Sequence, residues 1–264
     1  MKIGFIGLGN MASAMIGAII KKELFTPGDI LGADVFPAAN RKAEESFGLT
    51  VAADNKEVVK EADILVLSVK PQFYADVIAE IRDLVDDSKI VITIAPGKTL
   101  SWLTEQFGKE VKLVRCMPNT PALVLEGCTG VCPSKNISDE EMKLVMEILG
   151  SFGRASVVPE RLMDVVVGVS GSSPAYVFLF IEAMADAAVA EGMPRAQAYE
   201  FAAQAVYGSA KMVLELGKHP GELKDMVCSP GGTTIQAVKV LEEKGMRAAV
   251  IDATVACIEK SRSM

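Results

Sequence analysis

Over the first 158 positions, short apolar runs rich in β-branched residues alternate with longer stretches of mixed apolar and polar character. Lys2 to Ile6, Ile30 to Ala33, Ile64 to Val69, Ile90 to Ile94 and Val111 to Arg115 are the clearest of these runs. A strand with one wet face alternates apolar and polar side chains, whereas a strand covered on both faces does not. The near-continuous segments ILVLSV and IVITIA therefore predict a parallel sheet with helices on both sides. The segments between them are long enough for right-handed helical crossovers. The expected class is α/β, with a doubly wound parallel sheet over residues 1–159.

After Pro159 the β-rich runs stop and Ala, Met and Glu dominate to the end of the chain. Breaks near Gly192-Met193-Pro194 and from Gly217 to Gly221 divide this stretch into helical pieces, so residues 160–264 are expected to form an all-helical domain. Ala196 to Leu216 carries apolar residues on more than one face, which predicts cover by a partner subunit, most simply in a homodimer.

Composition narrows the field of functions. Half of the 264 residues are apolar, enough for a sizeable core. A net charge of −7 and the lack of a long basic run argue against a general nucleic-acid binder. Lys2 and the apolar stretch to Ile20 superficially resemble a secretory leader, but Gly4, Gly7, Gly9 and Asn10 interrupt it and suit a strand, turn and helix better. Ala175 to Ala190 is apolar yet contains Glu182 and Asp186, which suits a largely buried helix of a soluble protein rather than a membrane span. The five cysteines are an odd number, only Cys128 and Cys132 are close in sequence, and His219 is the sole histidine. That pattern favours reduced thiols in the cytoplasm and no metal site.

Gly7-Leu8-Gly9-Asn10-Met11-Ala12 follows the first strand and matches G-x-G-x-x-A. In this pattern the first glycine makes the turn, the second admits a diphosphate to the backbone, and the third small residue packs the helix. The helix start presents N–H groups and the positive dipole end to the anion. The domain is thus Rossmann-like. Asp34, near the end of the second strand, is placed to accept from ribose hydroxyls and to repel a 2′-phosphate. Asn40-Arg41-Lys42 lies close enough in sequence to meet such a phosphate, and both alternatives stand. Ser68-Val69-Lys70-Pro71 and Ala95-Pro96-Gly97 follow strands and are expected at the ligand crevice.

Two loops stand out in the second half. Ser170-Gly171-Ser172-Ser173-Pro174 reads as ordinary helix capping. Ser229-Pro230-Gly231-Gly232-Thr233-Thr234 is dense enough in Gly and Thr to point to a carboxylate site at a helix N-terminus, where negative charge gains roughly 0.3 to 1 kcal/mol. His219, before Pro220, reads as a capping or surface residue, Trp102 as packing, and Met184 and Met212 as core.

Taken together, GFIGLGNMA at the start, VKP at 69–71, RCMPNTPA at 115–122, VSGSSPAYVF at 169–178 and KDMVCSPGGTTIQAV at 224–238 resemble the pyrroline-5-carboxylate reductases over essentially the whole chain. The resemblance implies hydride transfer from NAD(P)H to the imine of 1-pyrroline-5-carboxylate, giving L-proline. It implies an intertwined homodimer through the helical dimerisation domain and leaves a ring of dimers open. It assigns the substrate carboxylate to Ser229, Gly231, Gly232, Thr233 and Thr234, with Thr234 near the imine nitrogen as the catalytic hydroxyl. On the cofactor side it assigns Ile6, Gly7, Leu8, Gly9, Asn10, Met11, Asn55, Val69, Lys70, Pro71, Ala95 and Gly97, with Asp34 facing the adenosine ribose. NADPH is the cofactor the family implies, and Asp34, standing where a small hydroxyl residue is usual, opens the way to NADH.

An imine suits this inventory, because its nitrogen is basic and asks less of an acid than a carbonyl does. GFIGLGNM also resembles the 3-hydroxyisobutyrate-type β-hydroxyacid dehydrogenases, but Lys211 lacks the motif expected of their catalytic lysine and SPGGTT is then unexplained. A dinucleotide-sensing dimer without catalysis would have no need of that second loop.

Overall fold

The computed structural model describes residues 1–263, which fall into two compact units: residues 1–172 with the C-terminal segment from Cys257, and residues 173–256. The first unit is built on one sheet of eight strands, β1 (Ile3–Ile6), β2 (Ile30–Ala33), β3 (Thr50–Val51), β4 (Ile64–Leu67), β5 (Ile90–Thr93), β6 (Lys112–Met117), β7 (Gly127–Pro133) and β8 (Gly153–Val157). Their order is β3-β2-β1-β4-β5-β6-β7-β8. Every neighbouring pair is parallel except β6 with β7.

The helices are α1 (Asn10–Lys21), α2 (Pro37–Phe47), α3 (Asn55–Glu61), α4 (Tyr74–Ile81), α5 (Leu100–Phe107) and α6 (Asp139–Gly150). Alternate strand residues go to opposite faces. Phe5, Val66 and Ile92 pack with Met15 and Ile16 of α1 and Ile148 of α6. Ile6, Leu65, Leu67 and Val91 pack with Val58 of α3, Ile78 of α4 and Leu103 of α5. Both faces are dry, which is why the strands read as continuous apolar runs. β3, β7 and β8 escape that pattern: β3 has two residues, β7 (GCTGVCP) carries two glycines and a proline, and β8 (GRASV) is mostly exposed.

The loop expected at Ser170 to Pro174 shrinks to one non-helical residue, Ser172, directly before α8. A helical run extends from Glu160 to Ala190, through α7 (Met163–Val166), a π-helical turn (Val167–Gly171) and α8 (Ser173–Ala190). The Ser172 N–H donates five residues back to the Val167 carbonyl at 2.8 Å, and Ser170 Oγ donates to the Val166 carbonyl at 3.1 Å, so these serines serve the helix that they were expected to cap. By length and composition this run could cross a membrane, although Glu182 and Asp186 are both exposed on it. Buried Arg115 ties the run to the sheet: its Nη1 donates to Glu160 Oε1 at 3.0 Å, and the same oxygen accepts the Leu100 N–H at 2.7 Å.

The second unit holds α8, α9 (Arg195–Leu216), α10 (Pro220–Val227), α11 (Thr233–Glu243) and most of α12 (Met246–Arg262). α8 and α9 form a hairpin across Gly192-Met193-Pro194. The expectation that α8 is largely buried fails within one chain, where Phe178 is 62% and Leu179 68% exposed. Phe201, Leu214 and Ile251 are exposed as well, so cover for these faces has to come from outside the chain.

Candidate functional site: a crevice at the switch point of the sheet

Strand order reverses between β1 and β4, since β1 connects outward to β2 on one side while β4 and β5 proceed on the other. Loops leaving the carboxyl ends of two such strands diverge and open a crevice. A cleft of about 650 Å³ lies there. Gly9, Asn10 and Met11 line it from the first loop and α1, Val69, Lys70 and Pro71 from the loop after β4, and Ala95 from the loop after β5. Ile6, Gly7, Leu8 and Gly97 do not line it; Ile6 and Leu8 are buried, and Gly7 and Gly97 adopt the left-handed φ values of +94° and +74°. Asp34 and Asn55 also stand outside the lining.

Gly7 is held where no side chain fits. A Cβ there would lie 3.0 Å from both the carbonyl carbon and oxygen of Ser68. Its N–H donates to the Ala33 carbonyl at 2.8 Å, and its carbonyl accepts from Ser68 Oγ at 2.6 Å, so the turn is sewn to β2 and to the end of β4. Gly9 is the N-cap of α1, with extended backbone and no side-chain cap, and nothing lies within 4 Å of where its Cβ would be. The helix start thus offers uncapped N–H groups to open space beside the cleft, the arrangement a diphosphate needs.

At the end of β2 the Asp34 carboxylate is already partly engaged: Oδ2 accepts the Leu8 N–H at 2.8 Å and Oδ1 the Phe36 N–H at 2.9 Å. Asn40 clamps the backbone of Asp34, its Oδ1 accepting the Asp34 N–H and its Nδ2 donating to the Asp34 carbonyl, both at 2.9 Å. Arg41 and Lys42 are exposed on α2. Asn55, at the start of α3, donates from Nδ2 to Glu80 Oε2 at 2.8 Å.

Part of the cleft wall lies outside the residues that the sequence assigns to the cofactor. Met117, the last residue of β6, and Pro118, Asn119 and Thr120 after it line the cleft, as does Gly171 of the π-turn. Buried Asn119 organises this wall, accepting the Cys128 N–H at 2.8 Å and donating to the Ser170 carbonyl at 3.0 Å. The signal was available, since these residues leave the carboxyl end of a strand as the other cleft loops do.

Tyr74 is another residue outside that assignment. Its fully buried hydroxyl donates to the Leu67 carbonyl at 2.5 Å and accepts the Ile94 N–H at 3.2 Å, joining the ends of β4 and β5 beneath two cleft loops. Burial pushes the phenol above its usual range, so it stays a donor at all ordinary pH. Tyr74→Phe leaves the Ile94 N–H without this acceptor and is expected to cost about 1–2 kcal/mol of stability. With the loops loosened, KM for the dinucleotide should rise several-fold at little change in kcat. Denaturant melts and initial rates check this, and an unchanged KM would remove the tie from cofactor binding.

In the second unit, Ser229 to Gly232 makes the turn from α10 into α11. Gly231 takes φ +70°, and the Gly232 N–H donates to the Ser229 carbonyl at 3.1 Å. The N-cap of α11 is Gly232, with no side-chain cap. Thr233 and Thr234 are the first two helical residues, so neither hydroxyl is spent as the cap, and the helix start remains open to an anion. His219 is the N-cap of α10, its Nδ1 accepting the Gly221 N–H at 3.0 Å.

Residues 160–264 match the family model described as pyrroline-5-carboxylate reductase dimerisation, and residues 2–97 match that described as NADP oxidoreductase coenzyme F420-dependent. The chain is 53% identical to the pyrroline-5-carboxylate reductase of Escherichia coli K12 over 263 residues, covering 100% of this chain and 98% of that one. It is 46% identical to that of Methanosarcina acetivorans, covering 100% and 97%. Among solved structures, the Plasmodium falciparum pyrroline carboxylate reductase with NADP bound superimposes with a TM-score of 0.91 at 33% identity, covering 100% of this chain and 97% of that one.

Proposed function

The chain belongs to the pyrroline-5-carboxylate reductase family, and from that membership we infer that it reduces the C=N bond of 1-pyrroline-5-carboxylate with NAD(P)H to give L-proline, the last step of proline biosynthesis. The observation that carries this reading is identity above half over the whole length, a length that spans the cleft and the SPGGTT turn alike. The 3-hydroxyisobutyrate-type alternative and the non-catalytic sensor account for the cleft but leave the SPGGTT turn unexplained.

The residues of the first unit fit a dinucleotide. The uncapped start of α1 at Gly9, Asn10 and Met11 suits its diphosphate, and the open space at Gly9 admits it. Ile6, Gly7 and Leu8 shape that turn, while Val69, Lys70, Pro71 and Ala95 form the walls towards the nicotinamide and Gly97, outside the lining, lets the loop after β5 turn. Asp34 and Asn55 belong to the adenosine side. When bound, the cofactor supplies the hydride.

Ser229, Gly231, Gly232, Thr233 and Thr234 hold the substrate carboxylate through backbone N–H groups and hydroxyls at the start of α11. Thr234 faces the imine nitrogen and delivers or relays the proton that balances the hydride, leaving a secondary amine. Much of the rate then comes from orientation of two bound reactants, an effect worth up to roughly 7 to 11 kcal/mol in well-aligned systems.

The enzyme self-associates through residues 160–264, whose exposed Phe178, Leu179, Phe201 and Ile251 supply the apolar surface. An intertwined homodimer is the assembly proposed, with a ring of dimers as its extension and neither membrane nor nucleic acid as partner. Its place is the cytoplasm, in keeping with five unpaired thiols.

Purified protein given 1-pyrroline-5-carboxylate and reduced dinucleotide is expected to oxidise the dinucleotide and accumulate proline, while 3-hydroxy acids with oxidised dinucleotide give no rate. Turnover of the hydroxy acids alone would overturn the assignment.

A further inference from the structure

The end of β2 carries information about which dinucleotide is used, because a 2′-hydroxyl and a 2′-phosphate ask for opposite chemistry there. A pair of ribose hydroxyls needs an acceptor, best a carboxylate, whereas a phosphate needs donors and positive charge. Three donors around Asp34 are already committed. The Phe36 N–H donates to Asp34 Oδ1, residue 37 is a proline with no N–H, and the Asn40 amide donates to the Asp34 carbonyl. The Leu8 N–H of the glycine turn donates to Asp34 Oδ2.

Each carboxylate oxygen thus receives one N–H and keeps a lone pair, and the group is fixed from three sides. Asp34 is only partly buried, so those lone pairs are open to a ligand. A phosphate brought to this position would meet a fixed negative charge, with the Leu8 and Phe36 N–H groups and the Asn40 amide already engaged. Arg41 and Lys42, both exposed on α2, leave the Asp34 charge in place, since neither is paired with it by any salt bridge among the described residues.

We propose that this enzyme prefers NADH to NADPH, with Asp34 as the residue that selects the unphosphorylated ribose and Asn40 as the positioning residue that holds Asp34 in place. The proposal rests on the reductase reading for its reaction but not for its test, which measures binding without the imine.

Dissociation constants of NADH and NADPH are measured by calorimetry or nicotinamide fluorescence on the native protein, Asp34→Ser and Asn40→Ala. The native protein should bind NADH at least roughly tenfold more tightly, the value of one hydrogen bond to a charged group. Asp34→Ser should weaken NADH and tighten NADPH so that the ratio falls by about tenfold or more. Loss of Asp34 also frees the Leu8 and Phe36 N–H groups, so a poorly folded Asp34→Ser is a foreseeable outcome. Asn40→Ala then decides the case, since it keeps the charge and releases the clamp, and should weaken NADH several-fold with little change for NADPH. Equal or tighter NADPH binding by the native protein overturns the preference. An unchanged ratio in folded Asp34→Ser removes Asp34 as its cause, and unchanged NADH affinity in Asn40→Ala removes the clamp. Failure of imine turnover with NADH selectivity intact would instead sink the reductase reading alone.

Discussion

Thr234→Ala is expected to lower kcat/KM for 1-pyrroline-5-carboxylate by about a hundredfold or more, the usual loss when a positioned proton donor is removed, while NADH and NADPH bind as before. The structural reason to expect a clean result is that Thr234 is not the N-cap of α11; Gly232 is, and no side chain caps that helix. Removing the hydroxyl therefore should not uncap the helix, and stability should change by less than about 0.5 kcal/mol. Thr233→Ala provides the comparison. It keeps the Thr234 hydroxyl and should raise KM for the imine with a much smaller effect on kcat. Steady-state rates at saturating dinucleotide separate the two, and solvent isotope effects report whether proton delivery has become slower in Thr234→Ala. Full turnover in Thr234→Ala would leave proton delivery to water.

The second large effect is expected at the opening turn, where two glycines two residues apart answer to different constraints. Gly7→Ala forces a side chain into φ +94° with its Cβ 3.0 Å from the Ser68 backbone. Such strain costs roughly 1–3 kcal/mol, and the Cβ pushes on the loop that carries Val69 and Lys70. Both stability and dinucleotide affinity should fall, the melting temperature by about 2–4 °C per kcal/mol for a domain of this size. Gly9→Ala has ordinary extended backbone and meets no atom within 4 Å. It should melt like the native protein yet lose at least about tenfold in dinucleotide affinity, because the added methyl occupies the space a diphosphate needs; such a loss is about 1.4 kcal/mol. A Gly9→Ala protein that binds dinucleotide normally would move the diphosphate away from the start of α1.

The parallel sheet was legible in the sequence because its strands are covered on both faces. Ile64–Leu67 and Ile90–Thr93 have no wet side, so their apolar runs are unbroken and their type is plain. The glycine turn was legible for a related reason: a backbone that must take positive φ against Ser68 admits glycine and little else. Where the physical demand is local, the residues state it.

Demands that arise across the fold left no such mark. β7 is strand because β6 and β8 flank it, and its own GCTGVCP has little strand character. Ser170 to Pro174 has the composition of a loop, yet Ser170 and Gly171 close a π-turn and Ser173 and Pro174 already begin α8. Tyr74 and Asn119 each join a near partner to one much farther along the chain, Ile94 at 20 positions and Ser170 at 51, and that pairing follows from the fold and not from residue order. The SPGGTT turn was conspicuous by its Gly and Thr content, but only the structure assigned the cap to Gly232 and left the threonine hydroxyls unspent on it.

Asp34 divides between the two kinds of information. Its place at the end of the second strand followed from the sequence, and with it the question of which ribose it meets. Whether Asn40 would oppose it as a phosphate ligand or serve it could not be read from residue order, because both require only that six positions separate them. The fold decided that by turning the Asn40 amide onto the Asp34 backbone, which uses up a donor and fixes a carboxylate in one stroke.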